Sequence, residues 1–116
     1  MRRYRFGSYL NGGNGGPYGN EYAEASEWLK LADEMYLASV EPMPGGEPVI
    51  PTMWGTDAVH GHTNIIRATI FPHNIALGAT RDADLVRRVG EATAVEIEVT
   101  GIDWNFSPTI AVAQDD

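Results

Sequence analysis

The 116-residue chain contains no cysteine. That absence excludes a disulfide framework, thiolate zinc ligation and a cysteine nucleophile, and it leaves the compartment open. Cations are scarce as well: eight Lys and Arg stand against sixteen Asp and Glu, giving a formal charge of -8 and a pI near 4.7. Nucleic acid is not an expected partner, because phosphate neutralisation needs clustered Lys and Arg. No apolar run approaches the ~20 residues of a membrane span, so no membrane partner is expected. The opening "MRRYRF" lacks the apolar stretch of a signal peptide, and both ends of the chain look cut rather than designed.

What is present is core material. Hydrophobic residues make up 43% and aromatics 9%, which argues against disorder and for globular structure. The segment "YRFGSYL" reads as a strand and is followed by a glycine-dense loop, Asn11 to Asn20. Ala25, Trp28, Leu29, Ala32, Met35, Tyr36 and Ser39 then recur at helical spacing. With Asn20 as N-cap, a helix is expected from about Glu21 to Val40. A Pro/Gly connector leads into "VIPTMW", a buried strand ending at Gly55. After a long loop to Arg81, a second helix starts at the N-cap Asp82 and stops at Gly101. The run "IDWNFSPTIAV" supplies a third strand.

Alternating strands and helices predict parallel βαβ units, hence an α/β fold with about three parallel strands and two main helices. In such folds the functional groups gather where the strands end. The loop from Gly55 to Arg81 lies at that end and far exceeds the usual ~2 to 6 residues of a βα connection.

The glycine-dense loop fails both phosphate-binding patterns, since Tyr18 stands where a third glycine is required and no Gly-Lys-Ser/Thr follows. Asp57, His60 and His62 form Asp-x-x-His-x-His, close to the metal pattern of amidohydrolase-type barrels. The spacing is one residue too long, and Gly61 turns the pair into a bend rather than a strand. Histidines held by backbone carbonyls are the competing reading. Strand alternation places Met53, Gly55 and Asp57 on one side and Thr52 and Trp54 on the helix side. Asp57 would then project into the mouth of the sheet, where a carboxylate accepts hydrogen bonds from adjacent sugar hydroxyls; a structural aspartate is the alternative. Glu96 falls inside the apolar face of the second helix, and an ion pair with Arg67 or Arg81 is expected there.

The stretches "GTDAVHG", "ATIFPHNIALGAT", "GEATAVE" and "TGIDWNFSPTIAV" together resemble the N-terminal barrel of glycoside hydrolase family 3, the β-glucosidase and exo-glucosidase group. The resemblance runs from about "FGSYLNGGN" to the last residue. It implies the N-terminal part of a (β/α)8 barrel, incomplete here, whose parent enzyme hydrolyses terminal non-reducing β-D-glucosyl residues with retention. Asp57 matches the family aspartate that holds sugar hydroxyls, and His60 and His73 are implied as supports of the surrounding loop. No catalytic carboxylate, metal or cofactor is implied within these residues. The expected partners are a β-glucoside or β-gluco-oligosaccharide, the remainder of the barrel and a following domain. A retaining glycosidase needs two carboxylates about 5 to 5.5 Å apart, and the family supplies both from elsewhere, so the chain alone is expected to be inactive. A non-catalytic sugar-binding or structural remnant, and a metal-dependent hydrolase using His60 and His62, are the alternatives.

Overall fold

A computed structural model describes residues 2–11 and 15–109. The elements run β1 (Ser8–Asn11), α1 (Ala25–Val40), β2 (Met53–Thr56), α2 (Asn74–Ala79), α3 (Ala83–Glu98) and β3 (Trp104–Asn105), with a 3-10 turn at Pro17–Gly19 between β1 and α1. The three strands form one parallel sheet in the order β1-β2-β3. The α/β class follows directly. The third strand, expected over residues 102–112, is shortened to Trp104–Asn105 among the described residues, and its part from residue 110, like residues 12–14 of the glycine-dense loop, lies outside them.

Register decides which face is covered. Tyr9 pairs with Trp54 and Leu10 with Gly55, which in turn pairs with Trp104. Alternation sends Tyr9 and Trp54 to the helix side. There the Trp54 ring stacks on Trp28 of α1, centroids 5.8 Å apart. Around this pair the core gathers Ala23, Ala58, Ile97 and Ile102, with Leu31, Ala32, Met35 and Ile65 packed against it. The opposite face, carrying Leu10, Met53 and Trp104, is open.

Several boundaries differ from the sequence reading. Helix α1 begins four residues later than expected, because Glu24 and not Asn20 occupies the N-cap. The Glu24 N–H donates to Glu27 Oε2 at 3.1 Å, half of a capping box. Asn20 instead closes a local turn, its Oδ1 accepting from Tyr22 N at 3.0 Å. The buried stripe of α1 is also rotated: Leu29 and Tyr36 are exposed, while Ala38 joins Trp28 and Ser39 inside. Ser39 has a structural use there, since its hydroxyl accepts from Thr52 N at 3.0 Å and donates to Tyr36 O, tying α1 to the approach of β2.

The two main helices expected are α1 and α3, and the connection after β2 is not wholly a loop, because it also carries the six-residue α2. His73 starts α2, its Nδ1 accepting from Ile75 N at 3.3 Å. Helix α3 starts where expected: Asp82 Oδ1 accepts from Leu85 N at 2.9 Å. Gly101, at φ +73°, makes the left-handed exit, and a Cβ there would lie 2.6 Å from Ala32 Cβ. No described helix is long and apolar enough to cross a membrane.

Candidate functional site

The site is built where β2 and β3 end. Asp57 directly follows β2, as strand alternation requires, and its side chain is exposed while its neighbours Thr56 and Ala58 are buried. Among the described residues its carboxylate makes no hydrogen bond or ion pair, so both oxygens keep their acceptor capacity.

The backbone beneath that carboxylate is held from β3. Phe106 N donates to Thr56 O at 3.0 Å, extending the parallel ladder past β3. Ala58 N donates to Asn105 Oδ1 at 3.1 Å, and Ala58 O accepts from Ser107 Oγ at 3.2 Å. Asn105 Oδ1 also accepts from Ser107 N at 3.2 Å, and its Nδ2 donates to Ser107 Oγ. The Phe106 ring closes on Gly55, where a Cβ would come within 2.8 Å of Phe106 Cζ. Asn105 and Ser107 were not singled out by sequence reasoning. Their signal is conformational: a side-chain amide two residues before a hydroxyl, at a strand exit, favours local backbone capture.

The three histidines take separate places. His62 is 1% exposed, its ring steeply inclined to that of Trp28 with centroids 5.7 Å apart, and its Nε2 3.1 Å from Thr100 Oγ1. Burial pushes the His62 pKa below its usual value, with Glu96 attracting the charged form in opposition. His60 packs its ring on His73, centroids 5.2 Å apart. His60 O accepts from Phe71 N at 2.8 Å, drawing residues 69–71 back across the bend. Gly61 makes that bend at φ +84°, as its sequence position suggested. His60 and His62 thus face different partners, and among the described residues no group of three or more His, Asp or Glu is arranged to hold a metal ion.

Glu96 corrects an expectation. Its Oε1 accepts from the Thr69 backbone N–H at 2.9 Å instead of pairing with an arginine. Arg67 pairs with Glu24, 3.4 Å apart at the surface. A backbone amide serves because the loop, folded back by Gly61, presents the Thr69 N–H to the helix.

Residues 1–116 match the sequence pattern of the "Glycosyl hydrolase family 3 N terminal domain". The chain belongs to this family. It is 32% identical over 113 residues to the lysosomal beta glucosidase of Dictyostelium discoideum, covering 96% of this chain and 13% of that protein. A periplasmic beta-glucosidase of Salmonella typhimurium is 32% identical over 66 residues, covering 57% of this chain and 8% of its own length. The crystal structure of an exo-1,3/1,4-beta-glucanase from a Pseudoalteromonas species superposes with a TM-score of 0.90 at 61% identity, covering 99% of this chain and 14% of that one. The chain therefore spans only 8 to 14% of the length of these larger relatives.

Proposed function

We propose that the chain is the N-terminal part of a (β/α)8 barrel in a glycoside hydrolase that removes terminal non-reducing β-D-glucosyl residues with retention, and that Asp57 binds hydroxyls of the glucosyl unit. The observation that carries this reading is Asp57 itself, an exposed carboxylate at the carboxyl end of a parallel strand with its oxygens unengaged among the described residues. Functional groups in parallel α/β architectures collect at that end. Two adjacent hydroxyls on a pyranose match the two oxygens of one carboxylate, and hydrogen bonds to a charged acceptor are the strong kind. The β-glucosidase and exo-glucanase relatives supply the substrate class.

His60 and His73 act as braces in this reading. Their packed rings, together with the His60 O to Phe71 N bond, hold the connection over the end of β2. The bond-breaking carboxylates, about 5 to 5.5 Å apart in a retaining enzyme, come from other parts of the protein, as does the rest of the barrel.

The test is a graft in which residues 1–116 replace the matching segment of the Pseudoalteromonas exo-glucanase, assayed on an aryl β-glucoside. Asp57→Ala should lower kcat/KM by roughly 10² to 10⁴, the loss of two hydrogen bonds to a charged group at ~1.5 to 3 kcal/mol each. An unchanged kcat/KM refutes the assignment.

A further inference from the structure

We propose that Asn105 and Ser107 are positioning residues for Asp57, clamping the peptide of Ala58 so that the carboxylate is held at a fixed point over the end of the sheet. The inference rests on Asp57 binding the sugar.

Asp57 needs such a device because the ladder gives out beneath it. Strand β3 is only Trp104–Asn105, and the last ladder bond on this side is Phe106 N to Thr56 O at 3.0 Å. Past that point an unpaired chain would pivot. Side chains take over from backbone: the Ala58 N–H is bound by Asn105 Oδ1 at 3.1 Å and the Ala58 C=O by Ser107 Oγ at 3.2 Å. Both polar groups of the residue after Asp57 are thereby tied to the exit of the neighbouring strand.

The donors and acceptors leave little freedom. Asn105 Oδ1 faces two N–H donors, Ala58 N and Ser107 N, so the oxygen and not the amide nitrogen must occupy that place. The amide nitrogen then donates to Ser107 Oγ, which directs its own proton to Ala58 O. Every bond in the ring has one donor and one acceptor, and reversing any one breaks another. On the preceding side, the Phe106 ring fills the space over Gly55. Thr56 and Ala58 are both fixed and buried, and only the Asp57 side chain is left projecting. A carboxylate mounted in this way meets a ligand without first being ordered, and a displacement of about 1 Å at such a group costs on the order of 10²-fold in rate.

A clamp that merely stabilised the exit of β3 would show the same contacts, so the test is a double-mutant cycle in the graft. Asn105→Leu should lower kcat/KM for the aryl β-glucoside by about 10²-fold in the presence of Asp57. On an Asp57→Ala background the same change should lower it less than about twofold, because residues acting through one group are not additive. If Asn105→Leu fails to fold, Ser107→Ala removes a single hydroxyl and serves in the same cycle, with a smaller loss expected and again none without Asp57. Equal losses on both backgrounds, or no loss while Asp57→Ala alone collapses activity, overturn the clamp and leave the sugar-binding role standing. An Asp57→Ala graft with undiminished kcat/KM overturns both.

Discussion

His62 Nε2 lies 3.1 Å from Thr100 Oγ1 inside the core. The Thr100 hydroxyl directs its proton to Ile97 O at 2.6 Å, so its oxygen accepts from the imidazole and the neutral ring carries its hydrogen on Nε2. Nδ1 is then a buried lone pair without a partner among the described residues. A proton arriving there would place a charge beside Trp28, on a side chain that is almost fully buried.

This fixes the sign of an acid effect. The folded pKa of His62 lies below the ordinary 6.5, so the unfolded chain takes up the proton first as pH falls. The contribution of His62 is complete above pH 6.5 and is lost on acidification toward its depressed folded value. The loss is about 1.4 kcal/mol for each pH unit separating the two states. Thermal unfolding of the graft between about pH 7 and pH 5 should show a steeper fall than in a His62→Gln variant. Parallel curves would mean that His62 titrates normally. Glu96 opposes the shift, so Glu96→Gln should extend the acid-sensitive range downward.

Gly61 carries the tightest approach in the connection. Its φ is +84°, and a Cβ would lie 2.1 Å from the carbonyl oxygen of Thr69, a backbone atom that cannot step aside without moving the loop. Gly61→Ala should therefore cost about 3 kcal/mol or more, combining left-handed strain with overpacking. The change would also separate His60 from Phe71. Urea unfolding of the graft measures the cost, and a loss below ~1 kcal/mol would show that the bend relaxes freely.

The sequence made some of this legible and hid the rest for physical reasons. Asp82 and Gly101 bracket α3 because capping and positive φ depend on one residue type at one place, and the Trp54 parity was readable because strand alternation has a period of two. Helix α2 was not, since six residues give no periodicity and a histidine N-cap is not a usual signal. The start of α1 was misplaced because Asn20 and Glu24 both have side chains able to cap, and the capping box between Glu24 and Glu27, with the Trp28 N to Glu24 O bond, decides for Glu24. Asp57 was nominated from its position after a strand, together with the family resemblance, and the structure places it directly after β2. Asn105 and Ser107 were missed because their use depends on Ala58, nearly fifty residues away in sequence, a juxtaposition created by the β2-β3 register.

The open sheet face carries a further expectation. Leu10 is 59% exposed, Met53 44% and Trp104 46%, all on the side of the sheet turned from the helices. The Cα radius of gyration is 16.9 Å, against roughly 13 Å for a compact domain of this length. Residues 1–116 produced alone should bind an apolar dye, self-associate in light scattering, and hydrolyse no aryl β-glucoside. A monomer with a sharp unfolding transition would show that the three strands need no further cover, and turnover would place the catalytic carboxylates within this chain.

Glu96 separates support of the connection from binding of sugar. Its Oε1 holds the Thr69 N–H at 2.9 Å, while Oε2 is buried and unpartnered among the described residues. Glu96→Gln keeps an oxygen for the amide and removes a charge from a half-buried place, so stability should change by less than ~1 kcal/mol. Glu96→Ala strands the Thr69 N–H and should cost about 1 to 3 kcal/mol. The graft carrying either variant should keep its KM for the aryl β-glucoside near the parent value, because α3 packs on the helix side of the sheet and Asp57 stands at the strand ends. A KM raised tenfold with stability intact would place Glu96 in contact with the substrate and the connection between β2 and α2 in the binding site.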